Sequence, residues 1–130
     1  MPVKIPVDLN HLEEVLSRIE RELGLLEPDV RFKVLFACEE ILTNLARHAD
    51  FGNRLPEVTL ALDLTDQQAV HLTCCDNGAP FDPRAFPDPE LDRRIEERRL
   101  GGLGIYLLKQ YARQIDYSSK QGYNILRITL

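Results

Sequence analysis

The apolar periodicity of this chain changes once, and that change limits the folds open to it. From about residue 30 to 49 the residues Val34, Leu35, Cys38, Ile41, Leu42, Leu45 and Ala49 recur at helical spacing. From residue 58 the period drops to two: Val58, Leu60, Leu62 and Leu64 alternate with Glu57, Thr59, Ala61 and Asp63. The pattern repeats after Thr65-Asp66-Gln67-Gln68, with Val70, Leu72, Cys74 and Asp76 alternating with Ala69, His71, Thr73 and Cys75. A long one-sided helix followed by two adjacent strands with a short connection requires an antiparallel pair with helices on its apolar face.

The rest of the chain fits around that unit. Residues 3–7 predict an edge strand, where Pro6 is tolerated. Asp8 or Asn10 can cap a first helix carrying Leu12, Val15, Leu16, Ile19 and Leu23 on one face, with Gly24 ending it. Asp29 is the expected cap of the second helix. A helix over residues 103–113 and a closing hairpin of 115–119 and 123–130 around Lys120-Gln121-Gly122 complete the order. The expected fold class is α+β: a two-layer sandwich of helices on a mixed, mainly antiparallel sheet, in a single domain. Between 79 and 100 the chain carries Pro80, Pro83, Pro87 and Pro89 and then a mixed-charge run from Asp92 to Arg99. A segment of this length inside a small domain suits a lid, here at about 80–101.

Composition excludes several classes. Of 130 residues, 44% are hydrophobic and 28% charged, the balance of an ordinary globular domain. A net charge of −5 argues against nucleic acid as a direct partner, since phosphate binding draws on clustered Lys and Arg. No apolar run reaches the roughly 20 residues of a membrane span, and the first residues lack a signal-peptide layout. Cys38, Cys74 and Cys75 do not have the spacing of a disulfide framework or zinc site, which points to a reduced, cytoplasmic setting. His11, His48 and His71 fall on different elements without metal-ligand spacing.

Three short strings remain that can carry chemistry. Glu40 and Asn44 are one helical turn apart on a flank shared with Lys33, Ala37 and Arg47. A carboxylate there can take a proton from a hydroxyl, a carboxamide oxygen suits Mg²⁺, and Arg47 can reach a phosphate. Asp76 has the parity of the apolar positions; it either caps the turn into the loop or accepts from an exocyclic amine such as that of adenine, with Gly78 allowing close approach. Gly101, Gly102 and Gly104 lie at a helix start, where free N–H groups attract anions. There is no Walker GxxxxGK[ST] string.

In this order the strings resemble the GHKL ATP-binding superfamily of gyrase, histidine kinases and mismatch-repair ATPases. Ala37-Cys-Glu-Glu-Ile-Leu-Thr-Asn44 with Arg47-His48, Asp76-Asn-Gly-Ala-Pro-Phe-Asp82 and Leu100-Gly-Gly-Leu-Gly-Ile105 carry the resemblance over nearly the whole chain. The Pro-Phe-Asp extension is similar to the anti-sigma-factor serine/threonine kinase branch. The resemblance implies a Bergerat fold with ATP between the long helix and the lid. It implies Glu40 as general base, Asn44 as the Mg²⁺ ligand, and Arg47 on phosphate. Asp76 would receive the adenine amine beside Gly78, with Gly102, Leu103 and Gly104 around the phosphates. It also implies a homodimer whose partners are a small antagonist protein, phosphorylated on Ser or Thr, and a sigma factor. Two alternatives stay open: a nucleotide-gated binding module without kinase activity, and a stand-alone histidine-kinase-like ATP domain. Two positions depart from the superfamily pattern. Pro80 replaces a glycine and stiffens the lid entrance, and Tyr123-Asn124 follows Gly122 where a threonine is common. Asn124 can replace that contact.

Overall fold

The computed structural model describes residues 3–24, 26–64, 69–87 and 100–130. Among these residues, five strands and three α-helices follow in the order β1 (Val3–Lys4), α1 (Leu12–Glu22), α2 (Pro28–His48), β2 (Val58–Leu64), β3 (Val70–Asp76), α3 (Leu100–Tyr111), β4 (Gln114–Lys120) and β5 (Tyr123–Thr129). The sheet order is β1-β2-β3-β5-β4. The α+β sandwich stands. Its sheet, expected to be mixed and mainly antiparallel, is antiparallel in every pairing among the described residues. β3 and β4 do run in the same direction, but β5 lies between them, so no parallel pair is hydrogen-bonded. The 65–68 connection and residues 88–99 of the expected lid lie outside the described residues.

One face of the sheet and the inner faces of the helices form the core. Val58 and Leu60 of β2, Val70, Leu72 and Cys74 of β3 and Ile128 of β5 are buried against Val15, Ile19, Val34, Cys38, Ile41, Leu42 and Leu108. Each fully buried aliphatic side chain here stabilises the fold by about 1.5–3 kcal/mol relative to exposure. Burial follows the period of two along β3, whereas β2 loses it at its end, where Leu64 is exposed. Cys74 is buried and Cys75 half-buried on the opposite face, as adjacent strand residues must be. Burial pushes the Cys38 thiol up to about 12 and Cys74 higher still, so both stay protonated as small hydrophobes.

Several boundaries move for local reasons. The edge strand is two residues long, although Ile5 N still donates to Val58 O at 2.8 Å. Asp8 caps a 3₁₀ turn, Leu9–His11, that leads into α1. Asp29 is not the cap of α2. Pro28 occupies the first turn, where a missing N–H is harmless, and Asp29 lies one residue inside it, paired with Lys33 at 3.2 Å. Ala37 belongs to the core rather than to the polar flank. α3 begins at Leu100, so Gly101, Gly102 and Gly104 occupy its first turns rather than preceding it. Gln121 (φ 55°) and Gly122 (φ 83°) form the two-residue turn that matches strand twist in the β4–β5 hairpin.

Candidate functional site

Two sets of contacts hold the three strings, and the Ala79 N–H bond to Asp50 O ties the second to the chain leaving α2. The first joins α2 to α3. The Glu40 carboxylate lies against the backbone of Gly104, so closely that a Cβ at Gly104 would overlap it. This glycine is needed for close approach, not for backbone conformation. One turn along α2, Asn44 Nδ2 donates to Glu40 Oε1 at 3.4 Å. The carboxamide nitrogen is thereby turned to Glu40, which leaves Oδ1 as the lone-pair donor facing elsewhere. Burial raises the Glu40 pKa above the ordinary glutamate value. The Asn44 hydrogen bond opposes the shift, the Glu39 charge adds to it, and Arg47 offsets part of it. Glu40 and Arg47, with Glu39, Thr43, Phe36, Leu9 and Leu12, line an open cleft of about 330 Å³. Arg47 and His48 are exposed in the last turn of α2.

The second set closes the end of β3. Asp76 Oδ1 accepts from Gly78 N and from Asn124 Nδ2, both at 2.9 Å. The turn-capping role and an available acceptor therefore coexist, because Oδ2 has no protein partner among the described residues. A Cβ on Gly78 would sit 3.1 Å from Asp76 Oδ1 and 3.4 Å from a ring carbon of Phe51, so the glycine keeps this corner open. Ala79 N donates to Asp50 O at 2.7 Å, which ties the corner to the segment leaving α2. Asn77, 6% exposed, accepts from Glu57 N and donates to Leu55 O, both at 2.8 Å. It stitches the 51–57 segment to the sheet and satisfies its own amide in doing so.

Two residues at this end, Asn77 and Tyr117, have no role in the sequence pattern. Asn124, able by its position to replace the common threonine contact, joins them. It is 3% exposed and stands opposite Asp76 across the β3–β5 pair. Tyr117 went unmarked; its hydroxyl donates to Asn124 Oδ1 at 3.1 Å and accepts from Phe81 N at 2.9 Å. The even spacing of Asn124 from Leu126 and Ile128, which puts it on the core face, was the available signal for a buried polar group.

The Pro-Phe-Asp string builds the segment leaving this corner. The Phe81 ring stacks edge-on against Phe86 at 5.8 Å, and Lys109 of α3 donates to Phe86 O at 2.7 Å. Asp82 caps the 3₁₀ turn Pro83–Ala85 and holds Arg84 in a two-pronged ion pair, whose hydrogen bonds lower the Asp82 pKa.

The donor set fits a purine triphosphate with a magnesium ion. A half-buried carboxylate with one open oxygen stands beside a glycine, and a carboxamide oxygen stands on α2. The first four N–H groups of α3, at residues 100–103, belong to the glycine-rich turn and have no partner within the helix. Among the described residues no three His, Cys, Asp or Glu side chains gather as a metal cage. A hard cation here would take most of its oxygens from phosphate and water.

The family of the histidine kinase-like ATPase domain matches residues 5–130. The chain belongs to that family, a kinase-like ATPase domain of the GHKL type. The serine/threonine-protein kinase BtrW of Bordetella bronchiseptica is 30% identical over 100 residues, which are 77% of this chain and 70% of that protein. The crystal structure of the RsbU and RsbW domains of Rv1364c from Mycobacterium tuberculosis superposes with a TM-score of 0.61 over 99% of this chain, at 14% identity; the chain spans 32% of that structure's length. The histidine kinase domain of the Erythrobacter litoralis EL346 blue-light activated histidine kinase gives 0.56 over 97% of this chain and 61% of that one, at 17% identity. The two superpositions show the shared fold. Among the described residues no helix is long and apolar enough to cross a membrane.

Proposed function

We propose that this kinase-like ATPase domain is an ATP-dependent serine/threonine kinase that phosphorylates a small antagonist protein and binds a sigma factor, acting as a cytoplasmic homodimer. The observation that carries the reading is Glu40. A carboxylate held against Gly104, with its pKa raised, is more than nucleotide binding requires. It suits a group that accepts a proton from an incoming hydroxyl.

The roles divide along the site. Asp76 Oδ2 receives the adenine amine, with Gly78 beside the ring. Asn44 Oδ1 holds Mg²⁺. Gly102 and Leu103 offer backbone N–H groups and, with Gly104 beside them, the positive end of α3 to the phosphates, and Arg47 adds a cation from α2. Bound MgATP supplies the phosphoryl group. The protein contributes alignment, charge neutralisation and a base for the acceptor hydroxyl.

The experiment is phosphate transfer from labelled ATP, in Mg²⁺, to candidate antagonist proteins of the same organism. Label on a serine or threonine of one of them, lost with Glu40→Gln, supports the kinase. Nucleotide-dependent partner release with no phosphoprotein would replace it with a gated binding module, and label on a histidine would replace it with a histidine-kinase-like domain.

A further inference from the structure

Asn124 is the most deeply buried polar side chain at the site, and its hydrogen bonds run in one direction. Phe81 N–H donates to the Tyr117 hydroxyl at 2.9 Å, and that hydroxyl donates to Asn124 Oδ1 at 3.1 Å. Asn124 Nδ2 in turn donates to Asp76 Oδ1 at 2.9 Å and to Gly78 O at 2.8 Å. The Asn124 nitrogen faces two acceptors, Asp76 Oδ1 and Gly78 O, so its oxygen is turned to Tyr117, whose hydroxyl gives it its one proton while accepting from Phe81 N. An Asn124 amide turned the other way would set an oxygen against a carboxylate. The far end of the chain is Phe81, which enters the segment braced by Phe86 and by Lys109 of α3.

We propose that Tyr117 is a positioning residue for purine recognition. It fixes the Asn124 amide so that Asp76 keeps Oδ1 engaged and Oδ2 open. The inference rests on the reading of Asp76 as the group that receives the adenine amine. The discriminating consequence is chemical. Tyr117 acts on the 6-position of the purine only, not on ribose or phosphate.

The test compares MgATP with MgITP, which carries an oxygen acceptor where ATP carries the amine, on wild type, Tyr117→Phe and Asp76→Asn. Tyr117→Phe keeps the ring and removes only the hydroxyl, so folding is retained. Its ATP affinity should fall about fivefold while ITP affinity stays within error, so that the ATP/ITP ratio drops. Equal losses for ATP and ITP would leave Tyr117 a merely structural residue and overturn the proposal, as would an unchanged ratio with unchanged affinities. Asp76→Asn separates the two layers. A ratio shifted towards ITP there, with none in Tyr117→Phe, ends the proposal alone; a ratio unmoved by Asp76→Asn ends the adenine reading and the proposal with it.

Discussion

The two ends of the site are built to different standards. At the Asp76 end, donors from β4, β5 and the 78–81 turn and the Asp76 acceptor of β3 meet in a connected set of hydrogen bonds of 2.8–3.1 Å. At the α2 end, Glu40 and Asn44 share one long bond of 3.4 Å, and Arg47 projects from an exposed turn. A planar base has a fixed shape, so its reader can be set in advance by strands in register. A metal and a flexible triphosphate bring their own ligands, so the groups that meet them need only stand on one helix face. On the proposed reading of the site, recognition is preorganised at the purine end and completed by the ligand at the phosphate end.

The largest effect that would sharpen the contrast is at Glu40. Glu40→Gln should lower the rate of phosphoryl transfer about 10²–10⁴-fold, measured in single turnover, while MgATP affinity changes little. Loss of affinity equal to the loss of rate would make Glu40 a binding group and erase the difference between the ends. A smaller effect is expected from Gly104→Ala. The new Cβ would displace the Glu40 carboxylate, the movable end of a flexible side chain, and alanine favours a helix interior by about 1 kcal/mol over glycine. The protein should therefore fold normally, bind ATP, and transfer phosphate about tenfold more slowly. A variant as active as wild type would show that the contact has no bearing on the chemistry.

The smallest effect is in stability and follows from the raised Glu40 pKa. A carboxyl whose folded pKa lies above its unfolded one binds protons more readily in the native state. Its favourable contribution is present below the unfolded pKa and disappears as pH rises through the folded value. At neutral pH the ionised Glu40 is therefore a burden. Glu40→Gln should melt slightly higher than wild type at pH 7–8, with the gap closing towards pH 4. The wild-type transfer rate should fall on acidification with an apparent pKa above the usual glutamate range. A gap that widened at low pH would mean that the desolvation argument has the wrong sign.

The parts of the molecule legible in the sequence were those governed by local pattern. The switch from helical spacing to alternation located α2, β2 and β3 to within two residues, and Gln121-Gly122 marked the closing turn. Two kinds of information were not local. Strand order decides which residues face each other: Asp76 meets Asn124 only because β5 is inserted between β3 and β4, which is also why no parallel pair forms. Close helix packing decides which glycine matters: Gly104 looked like part of an anion loop, yet its missing Cβ makes room for Glu40 from another helix. Asp29 and Ala37 failed for a simpler reason. Pro28 already supplied the helix start, and a stripe drawn by spacing alone cannot say which of its edges is buried.

The division of labour between the ends is tested most directly by calorimetric titration of ATP, with Mg²⁺ and with EDTA, into wild type, Asp76→Asn and Asn44→Ala. Asp76→Asn should lose about 10–100-fold in affinity under both conditions, since a hydrogen bond to a charged group is removed. Asn44→Ala should weaken binding in Mg²⁺ and match wild type in EDTA. Equal heats for all three proteins, or an Asn44→Ala deficit that persists without the metal, would contradict the account.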